Sequence, residues 1–229
     1  MPSSQTWPTD PPQTRAEWVD ARLRAAILTG QLAAGTRLHA ERLASQWGVS
    51  ATPLREAFQR LAGDGLVEIA PQRGARVAGL DRAKAAEYYE LRLLLEPRAL
   101  ESSLREADAA FLDEVRRAIT ELEAVETSDS VETGFIAHRS FHQTLLSRCR
   151  NREMLRMCSV LQDQTQRFAA NSMVVRHLIQ HRALADAVLG GDNDEAVRLL
   201  TVHLQTSIGG PHPQDDALPS SAGAEPPES

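Results

Sequence analysis

Apolar residues recur at helical spacing soon after the chain begins. Trp18, Val19, Leu23, Ala26 and Ile27 share one face of a helix. Thr14-Arg-Ala-Glu17 ahead of it has the form of a capping box, and Gly30 ends it. After a loop carrying Gly35, two short helices are predicted over about 40–46 and 51–63, on either side of Gly48. Gly63 and Gly65 close the second. The period then shortens. Leu66-Val-Glu-Ile69 and Ala75-Arg-Val77 read as strands joined by the turn-like Pro71-Gln-Arg-Gly74. Three helices and a hairpin, in that order, make a winged helix.

From Asp81 to about Ser207 the pattern is helical throughout. Phe111, Val115, Ala118, Ile119, Leu122 and Val125 draw one apolar stripe. Pro97 marks a kink or break near residue 96. Asp129 with Glu132, and Asp192 with Glu195, read as capping boxes, Asn151 as a cap, and Gly190-Gly191 as the separator of the last two helices. The expected fold is mostly α: a winged helix-turn-helix over 14–78 and an all-α helical bundle of six to seven helices over 79–208. The Pro-, Ser- and Gly-rich ends, 1–13 and 209–229, are expected to be disordered.

Composition supports a packed protein, with 42% hydrophobic and 24% charged residues. No apolar run approaches the roughly 20 residues that cross a bilayer, and the N-terminus has no secretory pattern, so a cytoplasmic protein is expected. Cys149 and Cys158, nine apart and outside any CxxC, read as free thiols. The net charge of −6 argues at first against nucleic acid. Its distribution reverses that argument. Residues 15–78 carry nine Arg against six acidic groups, whereas 79–208 carry sixteen basic against twenty acidic ones. A small basic module is borne on an acidic body.

Within that module, Ala44, Gly48 and Leu54 meet the needs of a helix-turn-helix in order. These are a small residue at the helix crossing, a residue tolerant of positive φ in the turn, and an aliphatic anchor. Val49 adds buried surface, Ser50 can cap the second helix, and Pro53 falls in its first turn. The polar face of the second helix offers Thr52, Arg55 and Gln59 to bases, while Arg42, Arg73 and Arg76 suit phosphates. Spacing alone leaves open a packing module with solvated arginines. The runs Leu32-Ala-Ala-Gly-Thr-Arg-Leu-His-Ala-Glu-Arg-Leu-Ala, Gly48-Val-Ser-Ala-Thr-Pro-Leu-Arg-Glu-Ala and Leu61-Ala-Gly-Asp-Gly-Leu-Val resemble the DNA-binding domain of GntR-family regulators. The resemblance implies that Arg42, Thr52, Arg55 and the wing residues Arg73 and Gly74 approach DNA. Ala51 departs from it, standing where the family commonly has arginine, which implies one DNA contact fewer.

Five of the seven histidines lie between 138 and 203. His138 and His142 are four apart, as are His177 and His181. Each pair shares a helix face and could chelate one ion, although histidines at such spacing are more often plain surface or core residues. His138-Arg-Ser-Phe-His142 lacks the Glu of HExxH, which disfavours a metallohydrolase. The markers Leu91-Arg-Leu-Leu-Leu-Glu-Pro, Phe141-His142 followed by Asn151, His181-Arg-Ala-Leu-Ala-Asp-Ala and Val202-His203-Leu resemble the FCD effector domain of the FadR subfamily. That resemblance implies a divalent metal at His138, His142, His181 and His203, with His138 replacing the usual Asp. Four nitrogens suit Zn²⁺ or Ni²⁺ better than a hard ion; His138 is otherwise a pocket residue. His177 fits no ligand position. Arg92 is expected to face the cavity, where its fork suits a carboxylate, or else to form a structural salt bridge. Tyr88 and Tyr89 read as core.

The resulting expectation is a homodimeric repressor on a pseudo-palindromic operator. A small-molecule effector, an organic acid, would shift its DNA affinity through the short connection at 79–81. Two alternatives stand beside it: a DNA-binding dimer whose bundle takes no ligand, and a metal-dependent enzyme, which lacks an acid–base pair beside the histidines.

Overall fold

Thr14 and Glu17 form the reciprocal cap that starts the first helix: the Thr14 hydroxyl accepts from the Glu17 amide and the Glu17 carboxylate from the Thr14 amide. This computed structural model describes residues 14–70, 74–125, 131–168 and 172–208. In the head, α1 (Arg15–Leu28) leads through β1 (Arg37–Leu38) to α2 (Ala40–Trp47) and α3 (Ala51–Gly63), then β2 (Val67–Ala70) and β3 (Gly74–Val77). Gly48 turns the chain between α2 and α3 at φ +66°, the left-handed conformation expected of it. Ala44 and Leu54 are buried on either side of that turn.

Two details of the head differ from the sequence reading. The hairpin is completed by a third strand, β1, giving an antiparallel sheet in the order β1-β3-β2 with Leu38 opposite Ala75 and Ile69 opposite Ala75 on the other side. Two residues are too short a run to show alternation. Ser50 does occupy the N-cap position of α3, but its hydroxyl makes no cap bond. The proposed turn at Pro71–Arg73 lies outside the described residues.

The body consists of α4 (Arg82–Leu104), α5 (Ala109–Val125), α6 (Val131–Leu146), α7 (Arg152–Gln166), α8 (Ser172–Leu189) and α9 (Asn193–Ile208). Helix α4 lies against α7 and α9, and α5 against α6 and α8. The expected break at Pro97 is absent, for α4 runs through it. Proline removes one N–H bond there, and Ala99, Leu100 and Leu104 beyond it are buried in the bundle core, which favours continuation of the helix. Asn151 caps α7 through the Met154 amide. Asp192 accepts from the Glu195 amide, but the Glu195 carboxylate is taken by Arg198, so only half of that box forms. Asp129 of the other proposed box lies outside the described residues.

Head and body each bury their own apolar cluster, with one trespass. Phe135 of α6 packs into the head's cluster with Leu23, Leu54, Leu61 and Leu66. Beside it, an interdomain cleft of about 600 Å³ opens between α1 and α6. No helix among the described residues is long and apolar enough to cross a membrane.

Candidate DNA-binding face and metal centre

Helix α3 buries Leu54, Ala57, Phe58 and Leu61 and so turns Thr52, Arg55 and Gln59 outward. Arg42 is exposed on α2. Arg55 forms an ion pair with Glu41, both groups mostly exposed, so the pair adds little stability. Arg76 pairs across the sheet with Glu68 at 2.6 Å. Gly74 opens β3 at φ +79°, and Arg73 lies outside the described residues. Ala51, the departure from the resembled pattern, packs partly into the head core. A cation cage escaped the sequence reading: Arg22 lies 5.0 Å from the Trp18 ring and 4.9 Å from that of Trp47.

In the body, three helices bring four histidines together. α6 supplies His138 and His142 one turn apart, α8 supplies His181 and α9 supplies His203. One ring nitrogen from each lies within 4.8 Å of all the others. His142, His181 and His203 are buried and His138 is half-buried. The His177 side chain lies outside the described part of α8.

The donor chemistry fits a metal ion. His142 Nε2 and His181 Nε2 are 3.2 Å apart, and two lone pairs cannot face one another so closely without a proton or cation between them. A tetrahedral ion with Zn–N bonds of about 2.0–2.1 Å separates its ligand nitrogens by roughly 3.3 Å. Burial, and then the neighbouring His138, His203 and His181, hold the His142 imidazole well below its usual pKa, so it stays a neutral donor. His203 Nδ1 lies 3.0 Å from the Gln180 amide oxygen, an outer partner that orients the ring and leaves its Nε2 to the cluster.

Arg92 is buried in the body. Its Nε is 2.6 Å from Glu96 Oε1, its Nη2 3.3 Å from Oε2, and its Nη1 donates to Thr165 Oγ1 at 2.8 Å. Burial opposes its charge, but Glu96 outweighs that cost and raises the pKa. The salt-bridge alternative is therefore present. Arg92 also lies within electrostatic reach of His142.

Sequence reasoning missed a further set of polar residues in the last turn of α7. Gln162, Asp163, Gln164, Thr165 and Gln166 are all buried. Asp163, fully enclosed, receives Arg24 of α1 at 2.5 Å and Arg139 of α6 at 2.6 Å. Five consecutive polar residues resemble a solvated face, and only the tertiary fold reveals their partners.

The described residues thus form a winged helix joined to a histidine-bearing helical bundle. Residues 15–77 match the family of bacterial regulatory proteins, gntR family, and residues 87–206 match the FCD domain. The chain belongs to the GntR family with an FCD domain. It is 31% identical over 198 residues to the HTH-type transcriptional regulator BphR of Paraburkholderia xenovorans, covering 82% of this chain and 81% of BphR. It is 26% identical over 199 residues to the HTH-type transcriptional repressor GlaR of Escherichia coli, covering 81% and 90%. Among solved structures, E. coli McbR/YncC shares the fold with a TM-score of 0.75 and 21% identity, covering 86% of this chain and 96% of that one. BphR and GlaR are regulators of transcription and not enzymes, the class to which this chain belongs.

Proposed function

We propose that the protein is a ligand-responsive repressor. It works as a homodimer that reads a pseudo-palindromic operator with α3, α2 and the wing. The DNA-contacting residues are Arg42, Thr52, Arg55, Gln59, Arg73 and Gly74. The body holds a divalent metal, zinc with nickel as the alternative, at His138, His142, His181 and His203. An organic acid is the effector, with Arg92 as its counter-charge. The observation that carries this reading is the convergence of four histidines behind an outward-facing α3. Repression is supported by GlaR and by the gluconate operon repressor of Bacillus subtilis, 40% identical over 74 residues.

Bound among the histidines, the ion would supply a Lewis-acidic centre for an anionic ligand. Arg92 adds a buried guanidinium to the same region, and an incoming carboxylate would compete with Glu96 for its fork. Dimerisation is supported by Leu91 and Leu94, 43% and 61% exposed on α4, which a second copy would cover. Metal analysis of the purified protein tests the site. About one zinc per chain is expected in the wild type and none in His142→Ala/His203→Ala. A folded double variant that keeps stoichiometric metal would refute the assignment.

A further inference from the structure

We infer that the last turn of α7 joins the DNA-reading head to the ligand-bearing body, with Asp163 as the residue that positions the head. One turn reaches the head at three points. Asp163 accepts Arg24 from α1, the Gln164 amide donates to the Asp64 carbonyl at 2.6 Å, and Arg167, just past the helix, donates to the Ala78 carbonyl. Asp64 also takes the second nitrogen of Arg24, at 2.5 Å. Gly65 is part of the fit, since a Cβ there would lie 2.9 Å from Gln164 Nε2.

The same turn reaches the body's candidate site. Thr165 holds Arg92, and the Gln166 amide donates to the carbonyl of Phe135, whose ring sits in the head. The second arginine on Asp163 is Arg139, the residue after His138 and three before His142. A rearrangement of α6 around the histidines therefore moves one of the two cations that neutralise Asp163. A fully enclosed carboxylate does not tolerate losing a partner, so the second cation, Arg24, and with it the head, responds. The link is a charge balance shared between the two parts, and it acts in both directions.

The regulatory half of this inference rests on the metal reading above; the docking half does not. All three tryptophans lie in the first 47 residues and Trp18 and Trp47 pack in the head, so the change in tryptophan emission on unfolding carries no signal from tryptophans of the body. Circular dichroism at 222 nm reports mainly the long helices of the body. Thermal unfolding of the full chain, followed by both signals with and without Zn²⁺, separates the possibilities. In the wild type the two curves coincide and Zn²⁺ raises both.

Arg24→Gln removes the head's cation from Asp163 and leaves Arg139 as the body's. The loss at Asp163 lowers the body's transition too, so the quantity read is the gap between the two transitions. In this variant the tryptophan transition should fall by roughly 10 °C or more below the dichroism transition. Zn²⁺ should then raise only the latter. Arg24→Lys should restore part of the coincidence. Coincident curves in Arg24→Gln that both rise with Zn²⁺ would overturn the inference. If Zn²⁺ moves neither curve in the wild type, the metal reading fails and the regulatory half falls with it. Separation of the curves in Arg24→Gln then still tests the docking.

Discussion

Cys158 lies almost fully enclosed on α7, and burial, then the nearby charge of Glu96, push its thiol up to about 12. Thiolate, not thiol, reacts with disulfide reagents. Cys149 is likewise buried, 3% exposed. Neither thiol of the folded protein should therefore react with a disulfide reagent at pH 8, and both should react once denaturant unfolds the body. Rapid titration of one thiol without denaturant would contradict the packing. The histidines illustrate what a residue pattern can and cannot carry. Their i, i+4 spacing and the resemblance pointed to four positions, but the pattern could not show that three helices bring them within 4.8 Å. Asp163 left no trace at all. Its importance lies in Arg24 and Arg139, 139 and 24 residues away in sequence.

At the scale of elements, glycines separate two kinds of constraint. Gly48 turns α2 into α3 at positive φ with open space around it, so Gly48→Ala meets only backbone strain, about 1–2 kcal/mol. Gly65 has positive φ and also faces Gln164, so Gly65→Ala should cost more and disturb the junction as well. Denaturant unfolding of both variants, followed by tryptophan emission, checks the order. Phe135→Ala tests the trespass of α6 into the head: a loss of about 3 kcal/mol in the head's transition is expected for a buried aromatic. Long, periodic elements were the legible ones, which is why α1 and α5 bury most of the apolar faces expected of them, while α3 buries its expected anchor Leu54 and turns its expected polar face outward. Of the kink or break expected at Pro97, the break does not occur; a local rule about a missing N–H took no account of the buried leucine and alanine packing that follows it. Phe135 was invisible for the converse reason, since its apolar character fits either core and only the docking of head on body selects one.

For the whole molecule, the division of charge is the property that bears on DNA. The head's excess of arginine is small, so affinity must come from a few well-placed cations on each half-site and not from a broad basic field. Arg42, Arg73 and Arg76 are the phosphate candidates, six in the proposed dimer, and Arg55 is the candidate for bases. Neutralising six phosphates gives a plot of log affinity against log salt with a slope of about −5. A synthetic operator selected from random duplexes by the protein itself provides the substrate. Arg55→Ala removes one cation from each head, so the slope should become shallower by about 2 if Arg55 meets phosphate. If it instead reads a base, affinity should fall with the slope nearly unchanged, and discrimination should relax at one position of each half-site. The Arg55–Glu41 pair does not confuse the outcome, because exposed ion pairs contribute little to stability and are themselves screened by salt. A variant that binds with wild-type affinity at every salt concentration would remove α3's central arginine from the interface and require a different docking of the head.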